Sequence, residues 1–269
     1  GLSNLSVSSV VQDGRGFLWL GTQGGLNRYD GRKVTTFRHD PFVTNTLPHD
    51  LVQTIHYEQE KERLWIGTYN GLSAFELETG VFTNYLAGEY GLSNSVVVAV
   101  TSDRDGTIWV GTLRGLNRLD PETGRVEQID VPGGVVRDIE MDGTGTLWLG
   151  TYEGLYRISR DGDGEGATLE RVEIELPSQA VMTIRETEPG VLQLGCWDGG
   201  IVTYQVDSGR TAEMILPDNR IYAMTETRDG ILWVGTWGGG LYALEPSGEL
   251  THFSGDPESG DLANSIVYA

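Results

Sequence analysis

Short apolar runs alternate with glycine-marked turns along this chain, and the alternation returns six times in one fixed order. The centre of each return is apolar-Trp-apolar-Gly-Thr, followed after two variable positions by Gly and an apolar residue. The copies are Leu18-Trp19-Leu20-Gly21-Thr22, Leu64-Trp65-Ile66-Gly67-Thr68, Ile108-Trp109-Val110-Gly111-Thr112, Leu147-Trp148-Leu149-Gly150-Thr151, Leu192-Gln193-Leu194-Gly195-Cys196 and Leu232-Trp233-Val234-Gly235-Thr236. The anchors at 19, 65, 109, 148, 193 and 233 stand 39 to 46 residues apart, the length of four short strands and their turns.

Each return predicts the same four strands. Strand a alternates apolar and polar, as in Ser95-Val96-Val97-Val98-Ala99-Val100 and Arg220-Ile221-Tyr222-Ala223-Met224-Thr225. A turn of the form Asp-x-x-Gly-x-x-Trp follows at Asp13 and Gly16, Asp103 and Gly106, and Asp142 and Gly145. Here the Asp side chain can accept backbone N–H groups and the Gly supplies positive φ. Strand b is the Leu-Trp-apolar-Gly-Thr run, whose unbroken apolar character implies burial on both faces. Strand c follows at once, as in Leu116-Asn117-Arg118-Leu119 and Leu241-Tyr242-Ala243-Leu244. Strand d, exemplified by Val34-Thr35-Thr36-Phe37 and Leu250-Thr251-His252-Phe253, is more polar and therefore outermost.

Four antiparallel strands leave two open edges and a large face that one unit cannot cover alone, so the units must stack. Radial arrangement as a β-propeller meets both needs, whereas an open stack would leave terminal apolar faces bare. The predicted class is all-β: a β-propeller of four-stranded antiparallel blades, six complete repeats plus the first strand of a seventh. One propeller domain is expected over 1–269, with blades near 1–46, 47–91, 92–134, 135–178, 179–218 and 219–261. The last segment, 262–269, reopens the pattern: Leu262-Ala263-Asn264-Ser265-Ile266 matches Leu92-Ser93-Asn94-Ser95-Val96. Either a seven-blade ring is cut short, or six blades close and this segment replaces or accompanies Leu5 to Val11 as an inner strand.

Charge narrows the partners. The chain has 39 Asp and Glu against 19 Lys and Arg, a net charge of −20. Such a field repels phosphate backbones and anionic lipid head groups, which argues against nucleic acid and membrane insertion and leaves neutral, cationic or metal-bridged partners. No apolar run approaches the length of a membrane span, and Gly1 to Val10 has neither a basic nor an apolar leader region. The lack of an initiator Met points to a piece of a longer chain. Cys196 is the single cysteine, so no internal disulfide is expected.

The opening Gly1-Leu2-Ser3-Asn4, followed by Asp13, Gly16, Trp19-Leu20-Gly21-Thr22 and Gly25-Leu26-Asn27-Arg28-Tyr29-Asp30-Gly31, resembles the two-component regulator propellers. The resemblance spans the chain and is specific in repeats one, three, four and six. It departs in repeat two, where Glu58 to Arg63 replaces the Asp-x-x-Gly turn, and in repeat five, where Gln193 and Cys196 stand for Trp and Thr. It implies the periplasmic, non-catalytic sensor half of a hybrid histidine kinase or diguanylate cyclase. In that family seven blades are usual and the parent receptor can pair as a homodimer.

Propeller function sits on end loops, because the blade interiors are consumed by packing. The b–c turns and d–a connections are expected on one face. There the frame recurs while two residues vary: Gln23 and Gly24, Tyr69 and Asn70, Leu113 and Arg114, Tyr152 and Glu153, Trp197 and Asp198, Trp237 and Gly238. Variation inside a fixed frame suggests recognition, and Tyr69, Asn70, Arg114, Tyr152, Glu153, Trp197, Asp198 and Trp237 are the expected ligand-binding set. Aromatic faces beside carboxylates and amides suit a carbohydrate or another small neutral ligand; the same rings could equally pack against neighbouring loops. The d–a connections add His49, Asp50, Asn94, Arg137, Gln179, Asn219 and Arg220, each also readable as a turn or strand cap. Trp19, Trp65, Trp109, Trp148 and Trp233 read as packing between blades. Asp161 to Gly166 has the alternating oxygens of a calcium loop, but Thr168 and Val172 break the pattern, so a solvated loop is expected. His39, His49, His56 and His252 lack ligand spacing, and no cofactor is expected. An enzymatic alternative, a propeller lyase or lactonase, would rest on His49 and Glu153 as acid and base. A protein-binding scaffold is the other alternative.

Overall fold

The computed structural model describes residues 1–160, 167–255, 262 and 264–268. The fold is a β-propeller of four-stranded antiparallel blades, and the chain divides into two compact units, Gly1–Val136 and Arg137–Ala269. The first carries three blades: β1 (Val7–Gln12), β2 (Leu18–Thr22), β3 (Gly25–Tyr29) and β4 (Val34–Phe37); β5 (Val52–Glu58), β6 (Arg63–Thr68), β7 (Gly71–Glu76) and β8 (Phe82–Tyr85); β9 (Val97–Ser102), β10 (Ile108–Thr112), β11 (Gly115–Leu119) and β12 (Val126–Ile129). The rest of the chain supplies β13 (Val136–Met141), β14 (Leu147–Thr151), β15 (Gly154–Arg160) and β16 (Ala167–Arg171); β17 (Val181–Glu188), β18 (Val191–Cys196), β19 (Gly200–Gln205) and β20 (Arg210–Met214); β21 (Ile221–Glu226), β22 (Leu232–Thr236), β23 (Leu241–Leu244) and β24 (Leu250–Phe253). Each sheet runs a-b-c-d in chain order. Every Thr of the Gly-Thr pair closes its strand b, as the pattern predicts.

The tryptophans pack against the following blade. Trp19 joins Val52, Ile55, Leu64 and Ile66; Trp65 joins Val97, Ile108 and Val110; Trp148 joins Val181, Ile184, Leu192 and Leu194. Trp19, Trp65, Trp109 and Trp148 are all buried. Their indole N–H groups need acceptors at that depth, and the Asp of the preceding turn provides them. Asp13 Oδ1 accepts the Arg15 and Phe17 N–H groups, while its Oδ2 accepts Trp19 Nε1–H at 2.8 Å. Asp103 with Trp109 and Asp142 with Trp148 repeat the clamp at 2.9 and 2.8 Å. In the second blade a short 3₁₀ turn, Gln59–Lys61, replaces the Asp-x-x-Gly turn, yet Glu58 reaches Trp65 Nε1–H at 2.8 Å. The motif that departs in sequence thus conserves the bond.

The Gly of strand b lets the next blade approach. A Cβ on Gly67 would stand 2.7 Å from Val97 Cγ1, and one on Gly195 2.7 Å from Ile221 Cγ2. The chain end uses the same contact. Val267 meets Gly235, Val267 N–H donates to Thr236 O at 3.0 Å, Ser265 O accepts Gly238 and Gly240 N–H, and Ile266 bridges Trp237. Residues 265–267 therefore lie on the sixth blade as the first strand of a following blade would. Asn264 Oδ1 caps them through Ile266 N–H, as Asn94 caps Val96 N–H. Among the described residues no helix is long and apolar enough to cross a membrane.

Candidate functional site

The b–c turns are rigid mounts. Thr68 Oγ1 donates to Gly71 O and accepts Asn70 N–H, and the same pair of bonds recurs at Thr22, Thr112 and Thr151. Gly71 has φ 108°, and a Cβ there would strike Tyr85 O, so only glycine fits. The first variable residue is tied to the start of its own strand a: Tyr69 N–H to Leu51 O, Leu113 N–H to Val96 O, Trp197 N–H to Ala180 O, and Trp237 N–H to Arg220 O. In these four blades the b–c turn and the d–a connection therefore share a face, as expected.

A second variable position emerges only in three dimensions. Strand a pairs with strand b through a one-residue bulge at the same place in five blades. Val7 opposes Thr22 and Ser9 opposes Gly21, which leaves Ser8 unpaired; Gln53, Val98, Met182 and Tyr222 stand likewise. Arg137 follows Val136 on β13 as Tyr222 follows Ile221 on β21, and Tyr268 follows Val267 in the last segment. Bulges re-aim the extra side chain, so Ser8, Gln53, Val98, Met182 and Tyr222 hold a second variable position on a fixed frame, and Arg137 and Tyr268 stand at the same place in the sequence pattern. The residue after the aliphatic that meets the strand b Gly is its sequence signal.

In the second unit the two rows converge. Trp197 and Trp237 have ring centroids 5.7 Å apart, Tyr222 lies 5.7 Å from Trp237, and Tyr268 packs edge-on to both Tyr222 and Trp237 at 5.4 and 5.6 Å. All four rings are half-buried. The Arg137 guanidinium stands 5.1 Å above the Tyr222 ring and donates from Nη2 to the Tyr222 hydroxyl at 2.7 Å. At the edge, Arg220 donates from Nε and Nη2 to Asp218. Burial pushes the Asp218 carboxyl up, and the Arg220 bonds more than reverse this, leaving it below its ordinary value. The hydrogen bond to Asp218, with the charges of Asp218 and Asp198, holds Arg220 above its own. Asp198 is exposed in the left-handed region at φ 58°.

The other expected residues are placed differently. Tyr152 is 47% exposed and touches no other ring among the described residues; Glu153 is exposed and its backbone carbonyl accepts Arg171 Nη2–H. In the first unit Tyr69 is 45% exposed beside the His49 ring, Asn70 reaches Pro48 O, and Arg114 is exposed. Most d–a candidates are local braces: His49 caps Leu51 N–H, Asp50 accepts His39 N–H, Asn219 accepts Leu216 N–H and Gln179 accepts Arg171 Nη2–H. Tyr222 and Tyr268 escaped the turn-based reading because they lie on strand a.

Cys196 is buried, and burial pushes its thiol up to about 12, so it packs as a small apolar group. Among the described residues no three His, Cys, Asp or Glu side chains gather as a metal-holding set. The calcium-like stretch, 161–166, lies outside the described residues.

Four stretches, 1–24, 91–114, 130–153 and 215–238, match the model of the two component regulator propeller. They fall in repeats one, three, four and six, where the sequence pattern is strongest. Over 41 residues, 15% of this chain and 3% of the relative, the chain is 46% identical to histidine kinase P4 of Formosa agariphila. The extracellular domain described as part of a hybrid two component system of B. thetaiotaomicron superposes over 100% of this chain and 37% of its own length. Its TM-score is 0.86 and its identity 22%. Virginiamycin B lyase of Staphylococcus aureus superposes over 92% of this chain and 84% of its own, at TM-score 0.73 and 16% identity. Both likenesses are of fold.

Proposed function

We propose that this chain, which carries two component regulator propeller repeats, is a non-catalytic, ligand-receiving part of an extracytoplasmic receptor, in the periplasm, and that it recognises a carbohydrate. The observation that carries this reading is the convergence of Trp197, Trp237, Tyr222 and Tyr268 from positions that vary on an otherwise repeated frame. A sugar ring offers a C–H face for stacking and hydroxyls for directional bonds. The half-buried rings supply the first and Asp198, Asp218, Arg220 and Arg137 the second. The repeat family and the likeness to an extracellular receptor domain support the location and the sensor role. The chain spans little more than a third of that domain, so the signalling output is part of the proposal.

The lyase fold likeness makes turnover the competing reading. His49, one half of the acid–base pair that reading would need, spends Nδ1 as acceptor for Leu51 N–H. A glycan array on this chain and on its intact parent, followed by Trp fluorescence titration of each hit, tests the proposal. Binding should quench fluorescence, and Trp237→Ala should weaken it by about 1–3 kcal/mol, the scale of a buried aromatic anchor. Trp109→Ala should lower stability and leave no specific binding defect in the folded fraction. An empty array, or metal-dependent turnover of a lactone or streptogramin, overturns the reading.

A further inference from the structure

Arg137 carries a charge that no carboxylate among the described residues pairs at contact, although Asp138 feels it through space. Carboxylates outnumber basic side chains by 39 to 19. Arg15, Lys61, Arg63, Arg118, Arg157, Arg185 and Arg220 each have a carboxylate within 4.0 Å. Among the described residues Arg137 has none, although it is half-buried. Its Nη2 serves the Tyr222 hydroxyl, and its Nε is buried without a hydrogen-bond partner. The adjacent carboxylate does not turn to it: Asp138 Oδ2 accepts Ile184 N–H at 2.7 Å and Oδ1 accepts Ile139 N–H at 2.9 Å. Arg28 shares the unpartnered Nε, but it lies on a third strand over Phe17 and Trp19, away from any b–c turn aromatic. Arg137 alone joins an unanswered guanidinium to the convergent rings.

Resting on the carbohydrate reading of the same rings, we infer that the ligand carries a carboxylate, received by Arg137, on a pyranose that stacks against the aromatic cluster: a hexuronate. A carboxylate can accept Nε–H and one Nη–H of a guanidinium side by side, and such charge-assisted pairs are about twice as strong as neutral ones. A half-buried guanidinium with no carboxylate at contact is a standing cost that a ligand carboxylate removes and a hydroxyl removes only in part. One free guanidinium suits one negative charge, since Arg220 is already held by Asp218; a phosphate would bring more charge than the site answers. The chain's overall −20 opposes the approach of an anion, but at physiological salt that field is screened beyond about 8 Å, whereas Arg137 would act at contact.

Calorimetric and fluorescence titration of the wild-type chain with galacturonate, galactose and acetate tests this. Galacturonate should bind about tenfold more tightly than galactose, as a charge-assisted pair against a neutral one requires. It should also bind more tightly than acetate, which lacks the ring, and weaken as salt rises. In Arg137→Met, which keeps an apolar stem over Tyr222, the preference for galacturonate over galactose should fall to within about threefold. Equal binding of galactose and galacturonate, or a preference that survives Arg137→Met, overturns the inference and leaves the carbohydrate reading standing. Acetate equal to galacturonate overturns the pyranose part. No binding of either sugar by wild type overturns both readings. The wild-type ratio needs no variant to fold.

Discussion

Four of the six repeats place a buried indole N–H on a carboxylate six or seven residues earlier, at 2.8 to 2.9 Å. This bond explains why Trp is tolerated at a position that is otherwise apolar, and why the turn prefers an acid. Asp142 shows the balance. Burial raises its carboxyl, but bonds from the Thr144 side chain, Trp148 Nε1–H and the Thr146 and Thr144 amides outweigh it and leave the pKa below its ordinary value. A carboxyl held low in the folded state contributes stability above the ordinary carboxylate range and loses it as pH falls through the lowered value. Asp142→Ala strands the buried indole and frees two backbone amides. It should cost about 2–3 kcal/mol in urea unfolding at pH 7, and the difference from wild type should shrink toward pH 3. Where the acid is missing, its neighbours change too: at the fifth repeat Gln193 replaces Trp and accepts Arg185 Nη1–H at 2.8 Å.

At the scale of the strands, inner seams between blades are stitched by side-chain hydrogen bonds that cross from one blade to its neighbour. In the first unit the stitches are neutral: Ser9 Oγ accepts Ile55 N–H, Ser8 Oγ donates to Val52 O, and His56 Nε2 lies 2.8 Å from Ser102 Oγ with burial holding the imidazole down at about 4. Between β13 and β17 the equivalent stitches are acids. Asp138 takes Ile184 N–H, Glu140 takes Glu186 N–H, and Glu186 takes Gly143 N–H. Burial lifts Glu140 to about 7; Asp138 and Glu186 add repulsion, the Glu186 amide and Arg185 opposing. A carboxyl raised in the folded state favours folding below its unfolded pKa, and that contribution is lost as pH rises through the folded value. This seam should therefore weaken between roughly pH 4.5 and pH 7. Glu140→Gln keeps an acceptor without a charge. It should raise stability at pH 8 by up to about 3 kcal/mol, little at pH 4.5, and flatten the dependence of the melting temperature on pH. An unchanged pH profile would show that Glu140 does not titrate in this range.

On the scale of the molecule, the last segment adds a ring to the site and an edge to the sixth blade at once. Residues 265–267 use the contacts by which other blades receive their successors, and this puts Tyr268 against Trp237 and Tyr222. Val267→Asp sets a carboxylate against Gly235 and Thr236 in place of an aliphatic contact. The segment should detach: limited proteolysis should cut between Gly255 and Ala269 sooner than in wild type, and Trp emission should shift as Tyr268 leaves Trp237. Ligand affinity should fall in step with the cleavage rate. Intact digestion kinetics with weakened binding would separate the two roles.

By itself the sequence determined the blades, because Trp, Gly and Thr recur at positions whose packing is local and identical in every repeat. Strand ends, turn residues and the inter-blade role of the tryptophans follow from that periodicity. It also pointed to Trp197 and Trp237, since they vary beside fixed neighbours. Only the tertiary structure decided which variable residues meet. Trp197 and Trp237 converge while Tyr152 stands apart; Tyr222 joins from strand a by way of a bulge, and Arg137 and Tyr268 join from the matching sequence positions. A bulge leaves no composition of its own: it is a register shift against the partner strand, visible only once Val opposes Thr and the next residue but one opposes Gly. The state of Arg137 was equally illegible, because a chain with twice as many acids as bases predicts a nearby carboxylate for a half-buried guanidinium, and only placement shows that its Nε is left without a hydrogen-bond partner.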